Sequence, residues 1–403
     1  MSESFLPYGR HWVDEDDIAA VAACLRGDWL TTGPAVEAFE AAFAEVVGAR
    51  YAVVVSNGTV ALHLAALAAQ VGANDIGLAP TMSFLASANG MRYTGAEIAF
   101  ADADPDTGLV TPDTFQAAIK RAAGPVKMAV VVHLNGNPVD MPEIARIASE
   151  HDIVLVEDAC HALGSTYRNE TGAAVKVGSC QHSAMTVFSL HPVKTITMGE
   201  GGVIATNNPV LHERLKLLRS HGMVRGAEKI VNRDLAFARS GDANPWYYEM
   251  QELGFNFRAP DFACVLAHSQ LKKLSMFAER RTQLKEIYDR HFGDVGELVK
   301  PLRIETSAEP VLHLYPLLID FTALGKERAR VMADLRELGI GTQVHYIPIH
   351  RQPYYVEHSG AVDLPGADSY YAKALSIPYY PLMTDQDAER VVRALRSVLG
   401  INS

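Results

Sequence analysis

The chain has 403 residues, a formal net charge of −11, 48% hydrophobic residues and 21% charged residues. This length predicts two domains, and the ordinary composition predicts a well-packed globular protein. Lys and Arg form no basic block and no apolar run reaches the about 18 residues of a membrane span, so neither nucleic acid nor membrane is an expected partner. The N-terminus shows no apolar signal segment and the cysteines form no CxxC pair, which predicts a reduced, cytoplasmic protein.

The first half of the chain alternates helical and strand-like segments. Amphipathic or apolar patterns predict helices over 14–25, 36–47 and 60–69. Short apolar runs predict buried strands over 51–55, 76–79, 97–101, 127–133, 153–156, 186–189 and 202–206. This alternation predicts an α/β fold with a mainly parallel central sheet flanked by helices.

The second half of the chain changes character. A helix over 209–220 is followed by a polar, irregular stretch over 223–246 and then by one long helical pattern over 261–288, in which a break is possible. Strands over 313–320 and 342–346 and helices over 326–338 and 384–399 complete the chain. We therefore expect a large domain over 1–255 and a smaller α+β domain over 256–403.

Residues 154–206 carry the most informative chemistry. A buried strand delivers Glu157 and Asp158 at its carboxyl end, where ligands of α/β sheets bind. A second strand delivers Ser189, Lys194 follows five residues later, and a glycine-rich turn begins at Gly199. An amine, a carboxylate and a hydroxyl are the groups that pyridoxal 5′-phosphate (PLP) requires to be bound, to keep its ring nitrogen protonated and to have its phosphate held.

Each of these residues has an ordinary alternative when it is taken alone. A lone Lys is usually a solvated surface residue, as Lys194 would be, and an Asp after a strand usually caps a turn. A Ser inside a strand is usually structural. The order and spacing of the three residues favour the cofactor interpretation over these alternatives.

Ordered motifs along nearly the whole chain carry a family resemblance. They are LTTGPAVEAFE, VVVSNGTVALHLA, PTMSFLASAN, HLNGNPVDM, EDACHALGS, FSLHPVK, GEGG, GFNFRAPD, HYIPIH and IPYYPLMT. This arrangement resembles the DegT/DnrJ/EryC1/StrS family of sugar aminotransferases, which are fold-type I PLP enzymes. The resemblance implies a large PLP-binding domain with a mainly parallel sheet and a smaller C-terminal α+β domain.

The resemblance also implies a role for each matching residue. Lys194 would be the Schiff-base lysine and Asp158 the partner of the pyridine nitrogen. His161, where the family often has Gln, would contact the phenolic oxygen, although a place in a buried polar network is an alternative. Four further residues would complete the cofactor site: Gly58, Thr59 and Ser189 at the phosphate and Phe84 stacked on the ring. Asn256 would reach the phosphate from a neighbouring subunit, which implies a homodimer.

A narrower resemblance concerns the substrate. The motifs EDACHALGS, FSLHPVKT, PWYYEMQELGFNFR and HYIPIHRQPYY are similar to the branch of the family that serves pseudaminic acid biosynthesis. That branch implies a UDP-linked 2-acetamido-2,6-dideoxy-hexos-4-ulose as acceptor, L-glutamate as amino donor and a cofactor that alternates between PLP and pyridoxamine phosphate. Arg225, Arg258 and His350 are candidates for contacts to the nucleotide-sugar, with a solvated loop position as the alternative for Arg225.

Three other functions compete with this hypothesis. The acceptor could be a GDP- or dTDP-linked 4-keto-6-deoxyhexose instead. Relatives with His in place of the catalytic Lys are dehydratases, and Lys194 argues against that reaction. A non-enzymatic DNA-binding regulator is disfavoured by the negative charge. No metal site is expected.

Overall fold

The computed structural model describes residues 4–293 and 295–401. Its α-helices are α1 (Glu15–Arg26), α2 (Pro34–Val47), α3 (Gly58–Ala68), α4 (Ala86–Arg92), α5 (Pro112–Arg121), α6 (Met141–Glu150), α7 (Pro209–Arg219), α8 (Arg233–Ala236), α9 (Asp261–Leu271), α10 (Leu274–Phe292), α11 (Arg328–Glu337), α12 (Pro353–Ser359), α13 (Pro365–Lys373) and α14 (Asp385–Leu399). Short 3-10 turns lie at Leu134–Gly136, Ala227–Lys229 and Ile349–Arg351.

The strands alternate with these helices in the first half of the chain and continue into the second half. They are β1 (Tyr51–Val55), β2 (Ile76–Pro80), β3 (Glu97–Ala101), β4 (Val126–Val132), β5 (Val154–Asp158), β6 (Thr166–Arg168), β7 (Ala174–Lys176), β8 (Met185–Ser189), β9 (Gly202–Thr206), β10 (Met223–Val224), β11 (Glu249–Met250), β12 (Val299–Pro301), β13 (Ala308–Glu309), β14 (Tyr315–Ile319) and β15 (Ala374–Ile377). The predicted strands of the first half agree with these bounds to within two residues.

A seven-stranded sheet forms the centre of the protein, in the order β1-β9-β8-β5-β4-β2-β3. The pairs among β3, β2, β4, β5 and β8 are parallel, whereas β9 runs antiparallel to both β1 and β8. The sheet strands are almost continuously apolar and buried, as expected for strands that are covered on both faces. The prediction of a mainly parallel α/β sheet is confirmed.

The strand directions bring several strand ends to one edge of the sheet. Because β1, β5 and β8 run in the same direction, they all end at that edge, and β9 starts there. Gly202 at the start of β9 pairs with both Val55 and Ser189. A Cβ atom at Gly202 would lie 2.5 Å from the Asn57 carbonyl oxygen, so glycine permits the close approach of the β1–α3 turn.

A second, smaller core lies towards the C-terminus. The antiparallel strands β12, β14 and β15 form a three-stranded sheet, and residues of α10, α11 and α14 pack with it in a separate hydrophobic cluster. Helix α9 instead contributes Ala263, Cys264 and Ala267 to the core of the large sheet. The boundary near residue 255 stays a prediction.

Two predicted elements of the second half differ from the structure. The pattern over 261–288 forms two helices, α9 and α10, and the Lys273 ammonium between them pairs with Asp14 and with Asp17, the latter at 2.9 Å. The predicted strand over 342–346 is wrong, because only Gln343 forms an isolated bridge, to Ser376. The residues that follow, His345 and Tyr346, belong to no strand, and their side chains are buried and half-buried, respectively.

The irregular character predicted over 223–246 is largely correct. Its regular structure consists of β10, one 3-10 turn, the four-residue helix α8 and an isolated bridge between Phe237 and Ala243. Within the described part of the chain, no helix combines the length and the apolar character that a membrane crossing requires.

Candidate active site

A cavity of about 950 Å³ opens at the edge where β1, β5 and β8 end. Seven of the residues predicted for the cofactor line this one cavity: Gly58, Thr59, Phe84, Asp158, His161, Ser189 and Lys194. The parallel sheet explains their meeting, since the carboxyl ends of its strands and the loops that follow them share one side of the molecule.

Asp158 is the last residue of β5 and is 5% exposed. Its Oδ2 accepts a hydrogen bond from the Ser87 hydroxyl at 2.7 Å, and its Oδ1 accepts one from the Cys160 N–H at 3.1 Å. The Ser87 hydroxyl is itself 2.6 Å from that of Ser83. These contacts fix the orientation of a carboxylate that faces the cavity.

Lys194 lies in the loop between β8 and β9, where its N–H donates to the His191 carbonyl at 2.8 Å. Burial lowers the pKa of the Lys194 ammonium, and the neighbouring Cys160 and Asp158 oppose that shift. A partly buried amine of lowered pKa loses its proton more readily, so it is better suited to nucleophilic attack and to proton transfer than a surface lysine.

His161 lies beside Lys194 in the same cavity and is 5% exposed. Its Nδ1 accepts a hydrogen bond from the Asn135 N–H at 3.2 Å, and its Nε2 is 3.2 Å from the Tyr346 hydroxyl. Burial lowers the pKa of His161 well below its ordinary value, and the charges of Lys194 and His345 lower it further. The ring is therefore neutral at neutral pH.

The N-terminus of α3 supplies a place for an anion. Asn57 caps the helix by accepting from the Val60 N–H, and the following N–H groups of Gly58 and Thr59 have no intrahelical partner by their position. A Cβ atom at Gly58 would lie 2.9 Å from the Ser189 Cβ, so glycine allows the helix terminus to approach the Ser189 hydroxyl. Together these groups form a cradle of neutral donors.

Phe84 follows β2 and is not part of the core. Its side chain is exposed at the cavity, with its ring centroid 5.9 Å from that of Tyr346. An exposed aromatic face at a cavity is suited to cover a flat ring.

Four predicted residues lie outside this cavity. Asn256 and Arg225 are exposed, and Arg225 lies over the ring of Tyr248 at 5.9 Å. Arg258 is half-buried. His350 is buried, with its Nδ1 2.7 Å from the Thr81 hydroxyl, and it lines a different cavity of about 500 Å³.

The structure adds residues to the cavity that the sequence reasoning did not assign. They are Tyr8 from the N-terminal segment, Cys160, His191, Glu200, His313, Gln343, His345, Tyr346 and Gln352. The sequence also assigns no role to Ser87, although its hydroxyl orients the Asp158 carboxylate. The HYIPIH motif contains His345 and Tyr346 and was the available signal, but its spacing carries no chemistry by itself.

The donor set fits a phosphorylated ring compound such as PLP. The cavity offers an amine for an aldehyde, an oriented carboxylate for a ring nitrogen, and a helix terminus for a phosphate. The close approach of Gly58 to Ser189, which a Cβ would block, is consistent with a cradle shaped for such an anion. Among the described residues, no group of three or more His, Cys, Asp or Glu side chains is arranged to hold a metal ion.

Comparisons with known proteins identify the family of the chain. A model of the DegT/DnrJ/EryC1/StrS aminotransferase family matches residues 12–396. The Campylobacter jejuni UDP-4-amino-4,6-dideoxy-N-acetyl-beta-L-altrosamine transaminase is 34% identical over 394 residues, which cover 98% of this chain and 97% of that protein. The Bacillus subtilis spore coat polysaccharide biosynthesis protein SpsC is 33% identical over 398 residues, covering 98% and 97%.

A solved structure matches along the whole chain as well. It is Helicobacter pylori PseC, described as an aminotransferase involved in the biosynthesis of pseudoaminic acid. The TM-score is 0.88 at 27% identity, and the match covers 98% of this chain and 100% of that one.

Proposed function

We propose, because the chain belongs to the DegT/DnrJ/EryC1/StrS aminotransferase family, that its acceptor is a UDP-linked 2-acetamido-2,6-dideoxy-hexos-4-ulose and its donor L-glutamate. The chain is a sugar aminotransferase and its cofactor is PLP. The observation that carries the chemistry is the presence of Lys194, Asp158 and the α3 terminus in one cavity. The Campylobacter relative supports the identity of the sugar.

PLP, when bound, supplies an electron sink and carries the amino group from donor to acceptor. Lys194 is the amine that holds it. Once it is free, the Lys194 Nζ moves the proton at the carbon that loses or gains the amino group. The lowered pKa of Lys194 suits both tasks, because an amine must be unprotonated to take up that proton.

Asp158 and His161 tune the ring from two sides. The Asp158 carboxylate, oriented by Ser87, stabilises a proton on the ring nitrogen. His161 offers a neutral donor to the phenolic oxygen, where a charged imidazolium would compete for the same electrons.

The remaining cofactor residues set its position. The N–H groups of Gly58 and Thr59 and the Ser189 hydroxyl bind the phosphate without a charged partner, with help from the α3 dipole. Phe84 would cover one face of the ring. Together these residues would hold the ring close to Lys194, which shortens the path over which the Lys194 amine moves a proton.

The active form is a homodimer in which Asn256 reaches the phosphate of the neighbouring subunit. The position of Asn256 supports this, since it is exposed and outside the cavity of its own chain. Contacts of Arg225 and Arg258 to the diphosphate of the nucleotide-sugar stay predictions. Contact between His350 and the nucleotide-sugar and the cytoplasmic location stay predictions.

The decisive experiment identifies the product. Purified protein is incubated with PLP, L-glutamate and, in separate reactions, UDP-, GDP- and dTDP-linked 4-keto-6-deoxy sugars. We expect 2-oxoglutarate to form together with UDP-4-amino-4,6-dideoxy-N-acetyl-β-L-altrosamine, identified by mass spectrometry and then by NMR at C4.

Two results would contradict the proposal in different ways. An inert UDP-linked ketone alongside a reactive GDP- or dTDP-linked ketone would replace the substrate but keep the chemistry. A deoxy ketone in place of an amino sugar would replace the reaction by a dehydration.

A further inference from the structure

Asn135 occupies an unusual place beside the cavity. It lies in the 3-10 turn Leu134–Gly136 that follows β4, with φ at 62°, in the left-handed region that Asn and Gly tolerate better than other residues. Its side chain is fully buried, and its Nδ2 donates to the Tyr370 hydroxyl at 3.1 Å, whereas its Oδ1 has no hydrogen-bond partner among the described residues. Since an orphaned buried oxygen is unfavourable, side-chain hydrogen bonding alone does not account for this residue.

The backbone of Asn135 joins two histidines of the cavity. Its N–H donates to the His161 Nδ1 at 3.2 Å, and its carbonyl accepts from the His313 N–H at 2.8 Å. The turn packs closely against its surroundings, because a Cβ at Gly136 would lie 2.5 Å from the Val311 carbonyl oxygen and 2.9 Å from that of His161.

This contact decides which nitrogen of His161 carries the proton. A backbone N–H can only donate, so the Nδ1 that accepts from it is unprotonated, and a neutral ring then carries its proton on Nε2. The Nε2 is the nitrogen beside the Tyr346 hydroxyl. The titratable groups around the ring are Lys194, His313, His345 and Tyr346.

We propose that Asn135 is a positioning residue whose left-handed backbone holds His161 as the neutral tautomer protonated on Nε2. The importance of Asn135 for catalysis rests on the proposed function, in which the His161 Nε2–H donates to the phenolic oxygen of the cofactor. The tautomer itself is a property of the protein alone and can be tested separately.

The direct test is NMR of protein labelled with ¹⁵N at histidine, with and without PLP. Long-range ¹H–¹⁵N spectra distinguish protonated from unprotonated ring nitrogens, and the His161 signals are identified by their loss in His161→Gln. We expect His161 to be protonated on Nε2 and unprotonated on Nδ1 between about pH 6 and pH 8. A proton on Nδ1 would overturn the proposal, whether or not the protein transfers an amino group.

Graded variants test the role of the backbone. Asn135→Gly keeps the left-handed turn and should retain the tautomer and most of the turnover. Asn135→Val disfavours positive φ, so it should disturb the tautomer and lower kcat of the glutamate half-reaction by at least about tenfold. Tyr370→Phe removes the partner of Nδ2 alone and serves as the matched control. A loss in Tyr370→Phe as large as that in Asn135→Val would show that the side chain is what matters, against the proposal.

A double-mutant cycle separates positioning from general damage. In a His161→Ala background, Asn135→Val should cause no further loss of kcat, because the residue it acts through is gone. If the fold-losses in kcat of the two single variants multiply in the double variant, the two residues act independently and the proposal is contradicted. If Asn135→Val does not fold, as judged by circular dichroism, the smaller strain of Asn135→Ala is used in the same cycle and the same NMR experiment.

Discussion

At the scale of single residues, chemistry in this protein follows from the surroundings of ordinary side chains. Lys194 would be a solvated lysine on most surfaces, but burial lowers the pKa of its ammonium. Asp158 would cap a turn elsewhere, whereas here the Ser87 hydroxyl and the Cys160 N–H hold its carboxylate at the cavity. The same side chains therefore acquire roles that their type alone does not imply.

Lys194→Ala should abolish the visible absorption of bound PLP and reduce turnover by several orders of magnitude, because no other amine replaces the one that holds the cofactor. Absorption spectra of protein reconstituted with PLP and the rate of 2-oxoglutarate formation check this. A variant that keeps the absorption band and the activity would remove Lys194 from its role.

Asp158→Asn should leave PLP bound but slow the glutamate half-reaction, by on the order of a hundredfold, since an amide does not stabilise a proton on the ring nitrogen as a carboxylate does. Stopped-flow absorption of the reconstituted variant measures the rate, and equilibrium dialysis measures PLP binding. Unchanged kinetics with normal binding would exclude Asp158 as the partner of the ring nitrogen.

At the scale of elements, strand direction and helix termini create the site. The ends of β1, β5 and β8 lie side by side, and α3 starts at the end of β1 with its N-terminus towards Ser189. Antiparallel β9 returns between β1 and β8, so Gly202 lies against the β1–α3 turn. The proposed phosphate cradle thus depends on how closely α3 and the end of β8 approach each other.

Gly58→Ala tests that approach. The added Cβ would lie 2.9 Å from the Ser189 Cβ, so the helix terminus must move away from the hydroxyl. We expect PLP to bind at least about tenfold more weakly, equal to about 1.4 kcal/mol. Fluorescence titration with PLP measures the change in Kd.

Gly72→Ala is the matched control, because its Cβ would meet no atom closer than the Asp75 Oδ2 at 4.0 Å. It should bind PLP like the unchanged protein. Equal affinities for Gly58→Ala and the unchanged protein would argue against a phosphate at the α3 terminus.

At the scale of the whole molecule, both ends of the chain complete the cavity. Tyr8 precedes the first helix, and His345 and Tyr346 come from a loop beside the C-terminal sheet. Buried histidines from distant segments of the chain therefore lie near Lys194. Burial is the main cause of the lowered pKa values of His161, His313 and His345, and the charge of Lys194 lowers these pKa values further.

This cluster makes stability depend on pH. The pKa of His345 falls from 6.5 to about 3, so between these values the unfolded chain binds a proton that the folded chain does not. Its contribution to stability is present above pH 6.5 and is lost as the pH falls towards 3. His161 and His313 act in the same direction.

His345→Asn should reduce the slope of unfolding free energy against pH by up to about 1.4 kcal/mol per pH unit, because the amide does not titrate and can still form a hydrogen bond with the Ser376 hydroxyl. Urea unfolding of the PLP-free protein between about pH 5 and pH 7 measures the slope. The same substitution at the exposed His151 is the control. A slope that does not change in His345→Asn would contradict the prediction.

The proposed dimer is tested by mixing two inactive variants. If Asn256 acts across the interface, Lys194→Ala and Asn256→Ala chains refolded together form hybrids with one complete site, and activity should return to about a quarter of the normal value. If both residues act within one chain, no hybrid has a complete site. Absence of recovery in mixtures that contain verified hybrids would therefore reject the shared site.

The sequence by itself determined the α/β fold and the strands of the first half, and it singled out the proposed cofactor residues that are local to strand ends. Periodicity and short apolar runs predict these features because they depend on neighbours along the chain. Asp158 and Ser189 end buried strands and Lys194 follows one, and parallel strands bring such ends to one edge.

Only the tertiary structure decided which distant residues meet them. Ser87, Asn135 and Tyr346 contact Asp158 and His161 across separations that no local pattern encodes. Residues 343–346 line the cavity, although a strand is predicted over 342–346. The physical reason is that hydrogen-bond geometry, burial and the resulting pKa shifts belong to neighbours in space, whereas periodicity records neighbours in sequence.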